Sequence, residues 1–278
     1  MTTIKNRGAK SNLLSLYLKE NHLGKVHSKF GHGLNIHFDD FLIYISNDSS
    51  SLSAFGLNIE EEKLIHLLDS MNIGDIVVNK DGKLIFYSVY EIIIIDYQNI
   101  DELDLRLPSI NCKKNRIVHT KLYKYLETIK FNELIGLELD EKTCHYIDLL
   151  LNTDKSDESI NSDIINFFIG RGRGLTPSGD DILIGFTLAL MIYDEDYSIW
   201  KKSIQLGMTV QMTTIISVAY QRALLNGFIS EYYLLLVELL DEDEAIDEII
   251  KNVQSVGHTS GNDTLYGFYL GLKFISNN

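Results

Sequence analysis

The sequence predicts an α+β protein, in which a mostly β part resembling a barrel or sandwich precedes a helical part. Short apolar runs broken by turn residues fill the range 25–107, a texture typical of small barrels and sandwiches. From His119 onward, apolar residues recur at helical spacing instead. We therefore expect a β domain over residues 1–110 and a helical domain over residues 111–278, and we expect the two to pack together.

The β prediction rests on short segments with distinct signals. Asp81-Gly82 separates two apolar runs and predicts a hairpin, because both residue types tolerate the positive φ of tight turns. Four β-branched residues at Ile92–Ile95 predict a strand that is buried on both faces. The leucine-rich residues 1–24 are expected to be helical. The other predicted elements are strands at Leu34–Ile36, Phe41–Ile45, Leu52–Leu57 and Ile73–Val78, and a helix at Glu60–Ser70.

The helical part begins after Arg116. Its run Ile182–Ile192 is hydrophobic nearly all round, as expected of a buried helix. Glycine inside a helix costs about 1 kcal/mol relative to alanine, so Gly185, Gly267 and Gly271 indicate that two helices cross closely there. The predicted helices are His119–Ile135, Thr143–Leu151, Ser159–Ile169, Ser178–Tyr193, Trp200–Asn226, Ser230–Leu240, Asp243–Val253 and Ser260–Phe274.

Composition limits the classes of partner. The chain has 278 residues, a net charge of −14 and 45% hydrophobic residues, which is ordinary for a globular protein. The negative charge argues against nucleic acid and anionic membranes, because phosphate groups demand a basic face. No apolar run reaches the roughly 20 residues that cross a bilayer. The only cysteines, Cys112 and Cys144, lack metal-binding spacing, so we expect a cytoplasmic protein with free thiols.

One motif occurs twice in the second half of the chain. Ser178–Gly185 and Ser260–Gly267 share the pattern Ser-Gly-[Asp/Asn]-Asp-x-Leu-x-Gly, shortly after Thr176 and Thr259 respectively. A packed core does not require such repeated polar residues. The repeat therefore predicts one site built from two helix N-termini, with the two loops side by side although about 80 residues separate them.

The loop before the first copy has the composition of an anion site. Gly170, Gly172 and Gly174 alternate there, and glycine permits positive φ and close approach of a ligand to the backbone. Two of the six arginines of the chain, Arg171 and Arg173, lie between these glycines. Guanidinium groups match phosphate and carboxylate in a bidentate manner, so the loop predicts an anionic ligand.

The helix after this loop is expected to contribute backbone donors. Thr176 is the predicted N-cap with Pro177 at the first helical position, or else Ser178 caps and Asp181 lies three residues later. In either case, free N–H groups of the new helix point at the loop and favour an anion. A flexible turn with ordinary caps is the alternative, and the second copy of the motif favours the binding interpretation.

The aspartates of the motif, Asp180, Asp181 and Asp263, allow two interpretations. Carboxylates are favourable near helix N-termini but repel a bound anion unless a cation lies between them. They either orient the loops through hydrogen bonds or hold Mg²⁺ that bridges to phosphate. We favour orientation and assign no metal ligand.

Two interpretations stay open for Thr213, Thr214 and Ser217: they are either ordinary helix surface or hydroxyls of the same pocket. We therefore do not count them among the candidate site residues. Motifs of serine hydrolases, P-loop NTPases and zinc proteases are absent from the sequence. The candidate catalytic residues are Arg171, Arg173, Asp181 and His258. The candidate ligand-binding residues are Gly172, Gly174, Thr176, Ser178, Gly179, Asp180, Thr259, Ser260, Gly261 and Asp263.

The string Gly172–Asp181, with His27–Phe30, Thr213–Ser217 and Gly257–Asp263, resembles the AllH family over most of the chain. The resemblance implies a subunit of an oxamate carbamoyltransferase of anaerobic allantoin breakdown. It implies reversible carbamoyl transfer between oxamate, or its product oxalurate, and phosphate to give carbamoyl phosphate. It also implies partner subunits, one of them similar to acyl-CoA ligases.

Two other functions stay open beside this one. A non-catalytic subunit would use the same loops to bind a nucleotide or phosphate and regulate a partner enzyme. A scaffold would use the repeated motif only for close helix packing. An anion or metal ion held at both loops distinguishes the first two functions from the third, because packing alone requires no ligand.

Overall fold

The structure is a computed structural model, and it describes residues 2–4, 8–19, 22–39, 41–193, 197–242 and 244–278. The chain divides into two compact units. One comprises Met1–Arg106 with Phe228–Glu231, and the other comprises Leu107–Gly227 with Tyr232–Asn278. Strands dominate the first unit and helices make up the second, so the predicted α+β class is confirmed.

Within its described residues, the first unit is built on one mixed sheet of ten strands that curls into a half-barrel. The strands are β1 (Thr2–Ile4), β2 (Gly8–Ser11), β3 (Leu23–Phe30), β4 (Gly33–Phe38), β5 (Phe41–Asn47), β6 (Gly56–Ile59), β7 (Ile76–Lys80), β8 (Lys83–Tyr87), β9 (Ile92–Asp96) and β10 (Asp101–Leu103). Their order across the sheet is β1-β9-β8-β7-β3-β4-β5-β6-β2-β10. The barrel- or sandwich-like prediction thus takes the form of a single curled sheet.

Two local predictions in this sheet are confirmed. β7 and β8 form the predicted hairpin, with Asp81 at φ 50° and Gly82 at φ 72°. Ile93, Ile94 and Ile95 of β9 are all buried, as expected of a strand covered on both faces. Leucines of two helices, α1 (Asn12–Tyr17) and α2 (Glu61–Ser70), join the same apolar core.

The helix predicted over residues 1–24 is confirmed only at the leucines of residues 13–18, which lie in α1 and at its C-cap Leu18. Within the described residues of that range, only α1 is helical, and two strands precede it. β2 has no leucine and pairs antiparallel with β6, so the predicted extent of the helix is wrong. Ser11 ends the strand and caps α1, since its side chain accepts a hydrogen bond from the Leu13 N–H.

The described residues of the second unit form helices and connecting segments without a strand, as predicted. Its α-helices are α3 (Lys121–Thr128), α4 (Glu141–Asn152), α5 (Glu158–Phe168), α6 (Ser178–Ile192), α7 (Ser198–Gly207), α8 (Ile215–Leu225), α9 (Glu231–Glu238), α10 (Ile246–Gln254) and α11 (Ser260–Asn277). Short 3-10 turns at Lys114–His119 and Phe131–Glu133 flank α3, so the helix predicted over His119–Ile135 is shorter than expected. Asp243, the predicted start of another helix, lies outside the described residues.

The helix predicted over Trp200–Asn226 is two helices. α7 ends at Gly207 and α8 begins at Ile215. Thr214 is the N-cap of α8, and its side chain accepts a hydrogen bond from the Ser217 N–H at 3.1 Å. A threonine hydroxyl that caps a helix competes with helix continuation, which explains why the apolar pattern alone misses this break.

α6 and α11 cross closely, as the glycines predicted. A Cβ on Gly185 would lie 2.0 Å from the carbonyl oxygen of Thr264, and one on Gly267 would lie 2.0 Å from that of Ile182. The contact is reciprocal, because the eighth motif residue of each helix meets the fifth motif residue of the other. The repeated motif therefore relates α6 and α11 by a local two-fold axis.

Two further expectations concern the cysteines and membrane spans. Cys112 and Cys144 are both free thiols, as expected. None of the helices in the described ranges combines the length and the apolar character that crossing a bilayer requires.

Candidate functional site

The loops that precede α6 and α11 lie side by side, as predicted. Thr176 Oγ1 and Ser260 Oγ are 2.6 Å apart and share a hydrogen bond. The Thr214 hydroxyl donates to the carbonyl oxygen of Leu175, which ties the start of α8 to the first loop. Residues distant in sequence thus meet at the starts of three helices.

The start of α6 differs from both predicted caps. The helix begins at Ser178 with Pro177 in the N-cap position, and no side-chain cap is present at this described helix start. The Thr176 hydroxyl shares a hydrogen bond with Ser260 instead, and the Ser178 hydroxyl lies against Gly136 and lowers the pKa of Asp263. Both hydroxyls therefore face the second motif copy rather than cap their own helix.

The second motif residue has the same environment in both copies. The N–H of Gly179 donates to Arg171 O at 2.8 Å, and the N–H of Gly261 donates to Val256 O at 3.0 Å. A Cβ at either glycine would lie 2.0 Å or less from a carbonyl oxygen of the preceding helix. These two N–H groups are used within the loops, so they are not free for a ligand in this conformation.

Asp181 and Asp263 are surrounded by hydroxyl groups of both motif copies. The Gly136 N–H, on the segment between α3 and α4, donates to Asp263 Oδ1 at 2.8 Å. A Cβ on Gly136 would lie 2.3 Å from Ser178 Oγ and 2.7 Å from Thr259 Oγ1. The Ser260 and Thr176 hydroxyls lower the pKa of the Asp181 carboxyl, and the Thr259 and Ser178 hydroxyls lower the pKa of the Asp263 carboxyl.

Burial dominates the electrostatics of this pair. It raises the pKa of the Asp181 carboxyl well above its usual value, the Ser260 hydrogen bond opposes the rise, and the negative charge of Asp263 adds to it. Burial also raises the pKa of Asp263, against the hydrogen bond from Gly136. Two like charges removed from water favour uptake of a proton or a cation.

Asp180 has a different role, because its carboxyl is hydrogen-bonded through both oxygens. The Gly170 N–H donates to its Oδ1 at 2.8 Å, and the Thr213 hydroxyl donates to its Oδ2. Burial raises its pKa, while hydrogen bonds from Thr213, Gly170 and Ser217 oppose the rise. Asp180 thereby joins the glycine loop to the start of α8, and Thr213 and Ser217 are hydroxyls of the site rather than ordinary helix surface.

The glycine loop, residues 170–174, is exposed, whereas the aspartates of the motif are buried. Gly170, Gly172 and Gly174 all adopt positive φ, at 65°, 116° and 103°, which is the conformation that favoured glycine in the sequence. Arg171 and Arg173 between them are exposed. The loop therefore presents two cations and backbone groups to solvent.

Arg171 is held in place by aromatic stacking. Its Cζ lies 4.0 Å from the centroid of the Phe167 ring, and its Nε donates to Phe167 O at 2.8 Å. The Phe167 ring stacks on Tyr146 at 3.9 Å between centroids and 4° between planes. A stacked guanidinium loses less freedom when it binds a ligand, so the stack orients Arg171 at the rim of the loop.

The candidate residues thus form layers around the helix starts. Thr176, Thr259 and Ser260 are half-buried, while Asp181 lies beneath them. The exposed residues are Arg171, Gly172, Arg173, Gly174 and His258; the buried ones are Ser178, Gly179, Asp180, Asp181, Gly261 and Asp263.

Sequence reasoning missed Gly136, Phe167 and Tyr146. Gly136 has no local signal, because its contact with Asp263 spans 127 residues. A Cβ there would lie 2.3 Å from Ser178 Oγ, so the backbone closes directly on the hydroxyls. Phe167 lies four residues before Arg171, and that helical spacing is the signal that could have found it.

Fold and site together define an α+β protein with a candidate anion site where two paired helices begin. Residues 168–272 match the model of a family described as oxamate carbamoyltransferase subunit AllH. The resemblance to the AllH family is confirmed over this stretch, which contains both motif copies. His27–Phe30, also used for the resemblance, lies outside the match. No solved structure was found to match the chain.

Proposed function

We propose that this chain is a subunit of a carbamoyltransferase that interconverts oxalurate and phosphate with oxamate and carbamoyl phosphate. The observation that carries the proposal is the family match over residues 168–272. The position of the match supports the proposal, because the matched residues include the loop that carries Arg171 and Arg173. Small-molecule anions are the proposed ligands, and partner subunits are proposed to complete the enzyme.

The reaction makes specific demands on a site. A phosphate oxygen attacks the carbamoyl carbon, a C–O bond forms, the C–N bond to oxamate breaks, and the oxamate nitrogen takes up a proton. Such a transfer needs cations for the anionic reactants and donors for the developing oxyanion. It needs no covalent nucleophile from the protein, which suits a loop that presents arginines rather than an activated serine or cysteine.

The proposed roles follow the exposure of each residue, from the exposed loop to the buried carboxyls. Arg171 and Arg173 bind the anions, and the exposed backbone of Gly172 and Gly174 approaches them closely. His258, exposed beside the second loop, is the proposed proton donor to the oxamate nitrogen. Asp181 is a positioning residue, because it lies beneath the Thr176 and Ser260 hydroxyls and acts through them.

Replacement of Arg173 by alanine is expected to weaken anion binding by about 1.5–3 kcal/mol, the range for hydrogen bonds to charged groups. That loss corresponds to roughly 10- to 150-fold in Kd. Calorimetric titration with carbamoyl phosphate and with inorganic phosphate measures it. Arg116→Ala is the matched control, since it removes the same charge from another exposed position. Equal affinities of wild type and Arg173→Ala would refute a ligand role for Arg173.

The function itself is tested with the chain and its partner subunits together. Carbamoyl phosphate is expected to form from oxalurate and phosphate, and to form much more slowly when Arg173→Ala replaces the wild-type chain. Undiminished turnover by the partner subunits without this chain would overturn the proposal. Binding of ATP or ADP that changes the partners' activity, with no effect of the loop variants on carbamoyl transfer, would indicate the regulatory subunit instead.

A further inference from the structure

We infer that Asp181 and Asp263 form a binding site for one hard divalent cation, Mg²⁺ or Mn²⁺, between the starts of α6 and α11. The site lies beneath the exposed loop that the proposed function uses. The inference goes beyond that function, because cation binding here requires neither the substrate nor a partner subunit.

The first observation is a pair of unpartnered, buried carboxylate oxygens. The relative exposures of Asp181 and Asp263 are 5% and 0%. Among the described residues, Oδ2 of each has no hydrogen-bond partner. The effective penalty for burying an ion is several kcal/mol unless a partner compensates it. Two such oxygens at one place are compensated by a proton or by a cation, and a divalent cation can contact both carboxyls.

The second observation is that both carboxyls lie where the two helix starts meet. Thr176 Oγ1 of the first copy and Ser260 Oγ of the second are 2.6 Å apart, and both hydroxyls lower the pKa of Asp181. The Gly136 N–H donates to Asp263 Oδ1, and a Cβ on Gly136 would lie 2.3 Å from Ser178 Oγ of the facing helix. The negative charge of Asp263 acts on Asp181, so the two groups are electrostatically coupled rather than separately solvated.

The surrounding donor set selects the class of cation. The polar side chains that lower the pKa of these carboxyls are hydroxyls, from Thr176, Ser178, Thr259 and Ser260. Oxygen-only ligands prefer hard cations such as Mg²⁺ and Mn²⁺, and two carboxylates match a double positive charge. Across the described residues, no group of three or more histidine, cysteine, aspartate and glutamate side chains is placed to hold a metal ion, so the hydroxyls must complete the ligand set.

Asp180 provides an internal comparison. It is fully buried and belongs to the same helix start. Its two oxygens accept from the Gly170 N–H and the Thr213 hydroxyl, so its charge is already compensated by donors. The difference between neighbouring aspartates assigns cation binding to Asp181 and Asp263 and excludes Asp180.

Mn²⁺ titration of the purified chain, followed by the electron paramagnetic resonance signal of free Mn²⁺, tests the site directly. One Mn²⁺ per chain is expected to bind, and Mg²⁺ is expected to displace it. Asp181→Asn and Asp263→Asn are each expected to weaken binding at least tenfold. Asp148→Asn is the control, because it removes the same charge from an exposed position of α4 and is expected to bind nearly as well as wild type.

Three results would overturn the inference. They are no saturable Mn²⁺ binding by the wild-type chain at millimolar concentration, equal loss in Asp148→Asn and Asp181→Asn, or no loss in Asp263→Asn. If an aspartate variant fails to fold, the wild-type Tm decides, since Mg²⁺ should raise it and K⁺ at equal ionic strength should not. The first of these results, together with phosphate binding that survives EDTA, would refute the cation site while leaving the proposed function intact.

Discussion

Replacement of Gly185 by alanine is expected to lower the free energy of unfolding by about 3 kcal/mol or more, the upper range for overpacked cores. The added methyl group would lie 2.0 Å from the carbonyl oxygen of Thr264. That oxygen is backbone and cannot rotate away, so α6 and α11 must separate. Alanine gains only about 1 kcal/mol in helix propensity over glycine, so the clash decides the sign. Urea denaturation of both proteins measures the difference.

The control for this experiment is Gly31→Ala. Gly31 lies in a turn, and a Cβ there meets no atom within 4 Å. The free energy of unfolding of this variant should therefore stay within about 0.5 kcal/mol of that of wild type. Gly267→Ala tests the reciprocal contact with Ile182 and should cost about as much as Gly185→Ala. Wild-type stability in both helix variants would contradict the close crossing.

Replacement of Lys155 by methionine is expected to alter the pH dependence of stability. Lys155 is buried, its Nζ donates to Thr153 O at 2.8 Å, and the nearest aromatic ring, Phe274, is centred 4.7 Å away. Burial lowers the pKa of this lysine to about 8. Methionine keeps the length and apolar contacts of the side chain but removes the titrating group and its hydrogen bond to Thr153 O, so the pH-dependent part of the difference reports the protonation of Lys155.

The sign of the effect follows from proton binding. In the folded protein Lys155 loses its proton near pH 8, whereas in the unfolded chain it keeps the proton to about pH 10.4. The unfolded state binds more protons in that window, so wild-type stability rises with pH relative to Lys155→Met, by at most about 3 kcal/mol. The full penalty of burying the charge applies below pH 8.

Urea denaturation of wild type and Lys155→Met at pH 7, 8, 9 and 10 measures the rise. Comparing the two proteins at each pH cancels the titration of other groups. The exposed Lys124→Met is the control, and its difference from wild type should not change with pH. A constant difference between wild type and Lys155→Met would contradict the lowered pKa.

The sequence predicts well those features that depend on the types of neighbouring residues. The Asp81-Gly82 hairpin, the strand at Ile92–Ile95 and the positive φ of the loop glycines all follow from residue type. The adjacency of the two loops was also predictable, because the duplicated motif and Gly185 gave two independent signals of one close contact.

The features that sequence reasoning missed depend on contacts between distant residues. Gly136 reaches Asp263 across 127 positions, and the cage around Lys155 combines rings from three helices. Pro177 occupies the cap position because the Thr176 hydroxyl bonds Ser260. Local sequence propensity does not predict these contacts, since they form only between segments that the fold brings together.

The reciprocal packing of α6 and α11 constrains how this chain can vary. Each glycine accommodates the backbone of the other helix, so neither position can enlarge without moving both helix starts and disturbing the contact between the Thr176 and Ser260 hydroxyls. The arginines have no counterpart in the second copy, because its loop, Val256–Thr259, contains no arginine. The packing of the two helix starts is therefore symmetric, whereas the arginines lie in one loop only. Substitutions in the exposed loop are compatible with this packing as long as Gly185 and Gly267 are retained.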